Sequence, residues 1–466
     1  METHPSAGPR VRWLVAGPLL PGAPGGRFRL TREALAQRLG PAVRGLDVTV
    51  GDRIGAGDAS TWPLSLGDLD AFQLARVIDS LPDLRVLGAL RGALSGARPL
   101  APEETARLQA TLGRGRLAQA LAEVHRTSGN APAALLAVLE EALFSTARDL
   151  LQHPLVARLE SAWRGLAWLE AHCPAPAGMD VEVLDTGTLP LDEALAESLE
   201  GSPLELPDAC FLLETQDEPE ALARLAAVGE RYCLPVVVSV PAEAAGEAWE
   251  RLRAEEASRW LCAAVNPVVM WAERQGAVGR ECFAPPALAV AALLAASFRD
   301  TRTFARLVGP GSALRAPAVW RPPGKSPVAT AAGLSLHEQQ RLAARGLVGV
   351  SGWWDSDAVQ AVAAPTFYRG RDAAPLPAQL LTGRLVRLAQ ELAERLPAGV
   401  RPDAVSEVCT RAAEVFLPGG AGRGCELLGQ VVPLGGGERG LHLRATLRPE
   451  LAGTRLQLEL TVPMRG

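Results

Sequence analysis

The sequence predicts an α/β (α+β) protein with a small N-terminal α/β module, a larger α/β core containing a mixed or parallel sheet, and C-terminal antiparallel strands. Segments such as LPVVVSV at 234–240 are apolar throughout and alternate with helical patterns, as in parallel strands that are buried on both faces. The segment PPALAVAALLAASF at 285–298 is apolar nearly all round, which indicates a helix buried in a core. In TRLQLELTV at 454–462 apolar and polar residues alternate, which predicts a strand with one dry and one solvated face.

The amino-acid composition and charge of the chain exclude several classes of protein. Hydrophobic residues make up 48% of the 466 residues and charged residues 21%, so the chain can bury a substantial core. The net charge of −5 gives no field that would attract nucleic acid or an anionic membrane. The 7 cysteines form no CxxC pair, which is typical of free thiols in a reducing compartment. Since no apolar stretch reaches about 18 residues, we expect a cytoplasmic protein without direct membrane insertion.

The first part of the chain predicts a flexible tail at 1–10 and a small α/β module at 11–96. Thr31 is a helix start signal, and Pro82 divides two further helices. The predicted elements of the module are a strand at 11–17, a helix within 28–43, a strand at 46–52, and a short strand with two helices within 62–96.

A junction at 97–132, with a helix around 104–125, separates this module from a larger domain at 133–466. The larger domain divides into a helical lead-in at 133–172, an α/β core at 179–310, and a C-terminal helix with strands at 334–466. Its predicted strands are 179–185, 209–215, 234–240, 429–435, 441–447 and 454–462. Its predicted helices after the lead-in are 189–200, 218–233, 249–265, 285–298 and 379–396, and a helix followed by a strand is predicted over 334–352.

The segment HPLVARLESAWRGLAWLEAH at 153–172 predicts an amphipathic helix, because apolar residues recur every three or four positions. Glu160 and Arg164 form an i,i+4 pair in the favourable order. Gly165 costs about 1 kcal/mol relative to alanine inside a helix. Its presence therefore predicts that another element packs closely at this position.

Motifs for catalysis are missing from the sequence. The 6 histidines are isolated and form no HExxH motif. GVSGWW at 349–354 does not fit the GxSxG nucleophile motif, and no GxGxxG lies between a predicted strand and helix. We therefore expect no catalytic, cofactor-binding or metal-binding residues.

The segment LLQHPLVARLESAWRGLAWL at 150–169 closely resembles a signature of the large subunit of the bacterial type VI secretion contractile sheath. Strand and helix order after this signature is also similar to that family, including a Trp-x-x-Leu-Arg helix and a C-terminal Leu-Arg-Pro step. Residues 11–96 resemble the small sheath subunit, with an acidic-aromatic step from Asp68 to Phe72. The residues that carry the signature are His153, Pro154, Leu159, Glu160, Trp163, Arg164, Gly165, Leu166, Trp249, Arg253, Leu447, Arg448 and Pro449.

The resemblance, which covers roughly 11–96 and 135–462, implies a natural fusion of the small and large sheath subunits. It implies a structural role in a contractile sheath, built from copies of this chain or from other sheath subunits. The implied partners are an inner tube protein, a baseplate and a recycling unfoldase ATPase, whose contact helix could lie within 104–125. No cofactor and no nucleic acid are implied.

A sheath requires contacts that repeat without closing a ring, and strand addition at an open sheet edge supplies such contacts. The strands at 441–447 and 454–462 are candidates for ties between subunits, with 11–16 as a further candidate. The proposed inter-subunit strand carries Leu456, Leu458, Leu460 and Val462. The alternative, that these strands close the sheet of their own chain, stays open on the sequence.

Two further hypotheses remain. The chain is a divergent sheath paralogue that acts as a non-polymerising adaptor, cap or baseplate-associated protein, or it is an α/β enzyme. The enzyme hypothesis requires a cleft in which Cys233 or Cys262 lies within hydrogen-bond reach of a histidine.

Overall fold

The computed structural model describes residues 10–19, 25–96, 101–128, 132–173, 178–307, 314–397, 399–416, 425–435 and 438–464. The chain divides into two compact units. The first unit comprises Met1–Thr31, Gly165–Val269 and Phe283–Gly466, and the second comprises Arg32–Arg164 and Met270–Cys282. Except for Arg10, the predicted tail at 1–10 lies outside the described residues.

The first part of the chain contains the predicted elements with two differences: Gly26–Arg29 forms a strand that was not predicted, and the single helix predicted around 104–125 is two helices. The strands are β1 (Val11–Gly17), β2 (Gly26–Arg29), β3 (Leu46–Gly51) and β4 (Ala59–Leu64). The helices are α1 (Arg32–Ala42), α2 (Leu74–Ser80), α3 (Pro82–Leu94), α4 (Pro102–Leu112), α5 (Arg116–Ser128), α6 (Pro132–Leu151) and α7 (Pro154–His172). Pro82 and Pro154 each occupy the first turn of a helix, where the missing amide hydrogen costs nothing.

The rest of the chain alternates strands and helices before it ends in antiparallel strands. The helices are α8 (Leu191–Ser198), α9 (Pro219–Tyr232), α10 (Glu247–Ala254), α11 (Pro286–Thr301), α12 (Leu336–Ala344), α13 (Leu376–Arg395), α14 (Pro402–Phe416) and α15 (Pro449–Ala452). The strands are β5 (Met179–Asp185), β6 (Ala209–Thr215), β7 (Val236–Ser239), β8 (Leu261–Val265), β9 (Val268–Gln275), β10 (Val278–Ala284), β11 (Leu314–Arg315), β12 (Leu347–Gly352), β13 (Ala358–Ala361), β14 (Cys425–Gly435), β15 (Glu438–Leu447) and β16 (Leu456–Pro463). The predicted α/β class, with a mixed sheet and C-terminal antiparallel strands, is confirmed.

The first unit is built on a sheet of nine described strands in the order β11-β13-β12-β8-β7-β6-β1-β5-β2, called here the large sheet. Strands β12, β8, β7, β6, β1 and β5 run parallel, and the strands at both ends are antiparallel to their neighbours. Helices α8, α9, α10 and α12 contribute to the core on one face, while α11 packs against β6, β7 and β8. The apolar runs are therefore strands covered on both faces, as their composition predicts.

Strand β1 corrects the predicted domain boundaries. The sequence placed 11–17 in a separate module at 11–96, but β1 pairs in parallel with β5 on one side and with β6 on the other. Trp13 of β1 also packs edge-on against Phe211 of β6, with ring centroids 5.1 Å apart. Because both edges of β1 are bonded inside the sheet, residues 11–16 cannot offer a free edge to a neighbouring chain.

The prediction of one helix over 249–265 is wrong in its second half. Helix α10 ends at Ala254, a 3-10 turn follows at Glu256–Trp260, and Leu261–Val265 is the fully buried strand β8. Asn266 then reverses the chain with a φ of 76°. Its side-chain amide donates to the carbonyl oxygens of Ala332 and Val350, each at 2.7 Å, which fixes this reversal at the sheet.

The second unit contains the antiparallel ribbon of β3 and β4, the helices from α1 to α6, and the first part of α7. It also contains most of the hairpin formed by β9 and β10, which the sequence analysis did not predict. Gly276 at the tip of the hairpin has a φ of 58°, a conformation that favours glycine.

Candidate assembly surface

The C-terminal strands form a separate three-stranded sheet in the order β14-β15-β16, called here the terminal sheet. Strand β15 lies in the middle and pairs antiparallel with both neighbours. Within β16, Leu456, Leu458, Leu460 and Val462 lie opposite Leu447, Ala445, Leu443 and Leu441 of β15. The proposed inter-subunit strand therefore closes the sheet of its own chain along one edge, and only its other edge remains for a neighbour.

The two faces of the terminal sheet differ as the alternating pattern predicts. Leu441, Leu443 and Leu447 are buried, and helices α13 and α14 cover this side of the sheet. Position 429 allows a close approach because it is glycine: a Cβ there would lie 2.3 Å from Sγ of Cys409 in α14. On the opposite face, Arg444 pairs with Glu459 at 2.6 Å and both side chains are exposed.

The direction of the backbone groups along β16 follows from one hydrogen bond. The amide of Met464 donates to the carbonyl of Arg439, which lies opposite it in the register, at 2.9 Å. Along an antiparallel pair of strands, residue pairs that are hydrogen-bonded to each other alternate with pairs that are not. In the second kind of pair, the backbone N–H and C=O groups point away from the partner strand. The backbone groups of Gln457, Glu459 and Thr461 therefore point outward, along the edge of β16 that no described strand occupies.

The two edges of the terminal sheet are not equivalent. Strand β14 contains Pro433, and its register shifts between Pro433 and Gly435. Bulges and prolines are devices that protect a sheet edge from pairing. Strand β16 also contains a proline, Pro463, but only as its last residue, and its register is unbroken from Leu456 to Pro463. Its outer edge is therefore the better template for strand addition.

A buried charge cluster attaches helix α13 to the large sheet. Arg387 of α13 donates to Oδ1 of Asp208 at 3.0 Å and to the carbonyl of Pro207 at 2.5 Å. The other carboxylate oxygen of Asp208 accepts the amide of Arg12 in β1 at 3.0 Å. Burial, with the neighbouring arginines, lowers the pKa of Arg384 against the opposing effect of Asp208. Because α13 also packs on β15 and β16, the cluster holds the helix that supports the terminal sheet.

The signature helix α7 forms a second buried charge cluster, inside the second unit. Glu160 accepts hydrogen bonds from Arg164 at 2.7 Å and from Arg280 of β10 at 2.5 Å. Arg280 also bonds Glu273 at 3.0 Å and the carbonyl of Phe72 at 2.5 Å. Burial lowers the pKa of Arg280, but the charges and hydrogen bonds of Glu160 and Glu273 outweigh burial and raise the pKa overall. Glu160 and Arg164 of the segment at 153–172 are thus members of a structural ion cluster.

This cluster joins the two segments that resemble different sheath subunits. Arg164 donates to the carbonyl of Leu69 at 2.9 Å, and its guanidinium lies 4.6 Å from the ring centroid of Trp271. The amide of Leu74 approaches both carboxylate oxygens of Glu273 at 3.2 Å. The acidic-aromatic step at 68–72 and the signature at 153–166 therefore belong to one network.

The remaining signature residues have structural positions. Leu159, Trp163 and Leu166 are buried, and the indole nitrogen of Trp163 has no hydrogen-bond partner within the described ranges. A Cβ at Gly165 would lie 2.6 Å from Cδ1 of Leu288, so the predicted close packing is confirmed. Pro154 begins α7 directly after His153.

The signature residues of the first unit are likewise structural. Trp249 packs edge-on against Phe367 at 5.9 Å, and Arg253 donates to the carbonyl of Phe367 at 3.3 Å. Leu447 ends β15, Arg448 is the N-cap residue of the short helix α15, and Pro449 is the first residue of that helix.

The hypothesis of a cysteine enzyme lacks its required geometry in the described part of the chain. Sγ of Cys233 approaches the carbonyl of Glu230 and Sγ of Cys262 that of Pro365, each at 3.6 Å, and neither thiol has a histidine as hydrogen-bond partner. Burial raises the pKa of Cys262 to about 12, which disfavours its nucleophilic thiolate. Within the same ranges, no group of three or more His, Cys, Asp or Glu side chains could hold a metal.

Sequence reasoning missed Asp208, Glu273, Arg280, Arg384 and Arg387, which complete the two clusters. For Arg384 and Arg387 of α13 the sequence contained a signal, because they stand three residues apart within a helical pattern otherwise rich in leucine.

None of the helices in the described ranges has the length and apolar character that a membrane crossing requires.

Comparisons with known proteins find similar solved structures, among them three of low sequence identity. No family model and no curated protein matches the chain. A chain of the anti-feeding prophage (AFP) baseplate is 10% identical with a TM-score of 0.37, over 66% of this chain and 78% of that one. A chain of the PVC sheath complex of an extracellular contractile injection system, in the contracted state, is 11% identical with a TM-score of 0.36, over 66% and 77%. A chain of the contracted AFP helical sheath is 13% identical with a TM-score of 0.34, over 64% and 78%. Likenesses at this level carry no argument about function.

Proposed function

We propose that this chain is a structural component of the contractile sheath of a bacterial type VI secretion system, in which segments like the small and large sheath subunits are fused. The sequence signature at 150–169 supports the family. The observation that carries an assembly role is the regular outer edge of β16, where backbone groups of Gln457, Glu459 and Thr461 point away from the sheet. The proposal assigns no catalytic step to the chain.

Strand addition at this edge would tie subunits together without any prosthetic group. A strand from a neighbouring subunit would receive hydrogen bonds from the outward amides of β16 and donate to its outward carbonyls. The apolar face of the added strand would extend the face already covered by α13 and α14. Repetition of one heterologous contact builds an open helical array.

Contraction would then be a change in the packing of rigid subunits that preserves the strand ties. The two buried charge clusters support this role because they hold the supporting helix α13 and the signature helix α7 in fixed positions. The partners under this proposal are an inner tube protein, a baseplate and a recycling unfoldase ATPase, all in the cytoplasm.

Electron microscopy and sedimentation of the purified full chain test this function. Tubules or stacked rings are the expected result, while discrete particles at every concentration would contradict polymerisation. A chain that lacks 452–466 should remain folded and soluble but should not polymerise. Tubules formed by the truncated chain would show that β16 is not the tie.

One observation favours the second candidate, an adaptor, cap or baseplate-associated protein that does not polymerise. Strand β1 is bonded on both sides within the large sheet and therefore cannot serve as the donor strand. A chain that accepts a strand at β16 but donates none would terminate an assembly. Co-sedimentation with separately prepared sheath tubules, combined with failure to polymerise alone, would select this candidate.

A further inference from the structure

The loop between β12 and β13, residues 353–357, has an exposed first half and is called here the tryptophan loop. Trp353 and Trp354 are 52% and 44% exposed. Two backbone hydrogen bonds hold the loop. The amide of Trp353 donates to the carbonyl oxygen of Ala358 at 3.2 Å, across the base of the loop, and the amide of Asp355 donates to the carbonyl oxygen of Pro327 at 2.8 Å. The backbone that carries the two tryptophans is thus held in place, which reduces the entropy lost when a partner binds. Nζ of Lys325 lies 5.9 Å from the centroid of the Trp354 ring.

The loop also carries a free negative charge. Asp357 pairs with Arg315 at 2.5 Å. Across the described residues, no ion pair or hydrogen bond engages the carboxylate of Asp355. The tryptophan loop therefore presents aromatic surface next to an available carboxylate.

A pocket of about 560 Å³ lies at the opposite end of β12, and it is called here the arginine pocket. Its walls include Arg253, Gly346, Ala363, Thr366, Arg369 and Pro375. Small apolar residues form most of the wall. The side chain of Arg369 is 66% exposed and pairs with Glu250 at 2.6 Å, and Arg253 pairs with the same carboxylate at 3.2 Å, so two arginines share one acidic partner. The volume of the pocket lies within the usual range for binding pockets, so it can accept a bulky apolar side chain. The arginines at its wall could interact with an acidic side chain of a bound partner.

The positions of loop and pocket determine how two copies could meet. Gly346 of the pocket immediately precedes β12, and Trp353 immediately follows it. The six residues of β12 span about 20 Å at roughly 3.3 Å per residue. Because the two surfaces lie at opposite ends of one strand within the first unit, a loop cannot reach the pocket of its own unit.

We propose that the tryptophan loop of one copy of this chain inserts into the arginine pocket of the next copy. In this contact the aromatic rings would enter a cavity lined by small residues, and Asp355 would face Arg253 and Arg369, the two arginines that share Glu250. The contact is heterologous, so each copy uses its loop on one side and its pocket on the other, and the contacts propagate. The inference deepens the proposed sheath function by naming the second surface that holds neighbouring subunits.

The pocket also borders the proposed strand tie. Gly453 lines the pocket and precedes the first residue of β16, Leu456, by three positions. A copy docked in the pocket would therefore lie next to the start of the β16 edge. Docking and strand addition are then neighbouring parts of one interface.

Mixed cysteine variants of the full chain test this contact directly. One preparation carries Ser356→Cys in the loop, and the other carries Ala373→Cys at the pocket. Mild oxidation should give disulfide-linked dimers in the mixture, above the level of either variant alone and of the unmodified chain. The 7 native cysteines serve as the background. Among the side chains that the structure describes, Cys233 is partly exposed and Cys173, Cys210, Cys262, Cys282 and Cys409 are buried.

The variant Trp353→Ala/Trp354→Ala tests the energetic role of the loop. We expect its assembled fraction to fall by at least about ten-fold, as for aromatic residues at the centre of an interface. Filling the pocket by Ala363→Trp should have the same effect. Leu189→Ala, which removes an apolar side chain that is 44% exposed elsewhere in the first unit, should assemble normally. Thermal melting of each variant excludes unfolding as the cause.

The outcomes separate the contact from the sheath function. If the unmodified chain forms tubules while the loop variant assembles equally well and the mixture gives no cross-link, the contact is refuted and the sheath function stands. If the mixture cross-links although no tubules form, the contact stands and the sheath function fails. If neither assembly nor cross-link occurs, both fail. If only Ala363→Trp blocks assembly, the pocket binds a different segment and the loop contact is refuted.

Discussion

The edge strands of the large sheet differ from those of the terminal sheet in length and regularity. The large sheet ends in β11, of two residues, and in β2, of four, and Arg29 on β2 pairs with Asp180 at 2.8 Å. Very short and charged edge strands prevent pairing with other chains. The terminal sheet instead ends in β16, with eight residues in unbroken register and outward backbone groups. Under the proposed function, the comparison makes the outer edge of β16 the edge at which strand addition occurs.

The attachment between the two sheets should be the most sensitive point. Arg387→Ala leaves Asp208 buried without its closest cationic partner, and breaking a buried pair of this kind costs about 3–5 kcal/mol. Urea unfolding should show this loss. A smaller cost than about 1 kcal/mol would mean that water reaches Asp208 and that α13 is not held by the cluster.

A buried residue outside both sheets shows how far a core substitution alone lowers the free energy of unfolding. Trp163 is buried in the second unit, and Trp163→Ala should lower the free energy of unfolding by about 3–5 kcal/mol. The exposed Trp353→Ala is the matched control and should change stability by no more than roughly 0.5 kcal/mol. A near-neutral Trp163→Ala would place that indole at a surface.

Packing beneath the terminal sheet should respond to one added methyl group. Gly429→Ala would bring a Cβ to 2.3 Å from Cys409 and to 3.0 Å from Leu443. Overpacking of this kind costs about 1–3 kcal/mol. Thermal melting measures the cost, and Gly399→Ala is the control, because a Cβ there meets no neighbouring atom. Equal melting temperatures would mean that α14 does not press on β14.

A substitution at the β2 edge of the large sheet should have the smallest effect on stability and assembly. Arg29→Ala removes an exposed ion pair, which contributes about 0–1 kcal/mol. It should leave both stability and assembly nearly unchanged. Tubules altered by this substitution would show that the β2 edge of the large sheet also takes part in assembly, which would remove the contrast between the edges of the two sheets.

Patterns within single segments were enough to predict much of the fold. The continuous apolar run at 209–215 and the strict alternation at 454–462 each correspond to a strand with the expected burial. The buried helix α11 was likewise evident from its composition. These features are set by local periodicity, which a sequence shows directly.

Features that depend on distant contacts could not be predicted in the same way. Residues 261–265 continue the apolar pattern of the preceding helix, and they form a strand because β7 and β12 pair on either side. Glu160 and Arg280 are separated by 120 positions, so their ion pair has no local signal. The free edge of β16 likewise depends on the register with β15. The sequence therefore pointed to the strand at 454–462 but not to the residues along it that face outward.

The most direct test of the central claim is electron microscopy of Gln457→Pro beside Leu458→Pro. Proline at 457 removes an outward amide from the free edge, while proline at 458 removes an amide that faces β15. The account predicts that Gln457→Pro melts close to the unmodified chain but forms no tubules, whereas Leu458→Pro loses stability as well. Normal tubules from a folded Gln457→Pro chain would contradict assembly through the β16 edge.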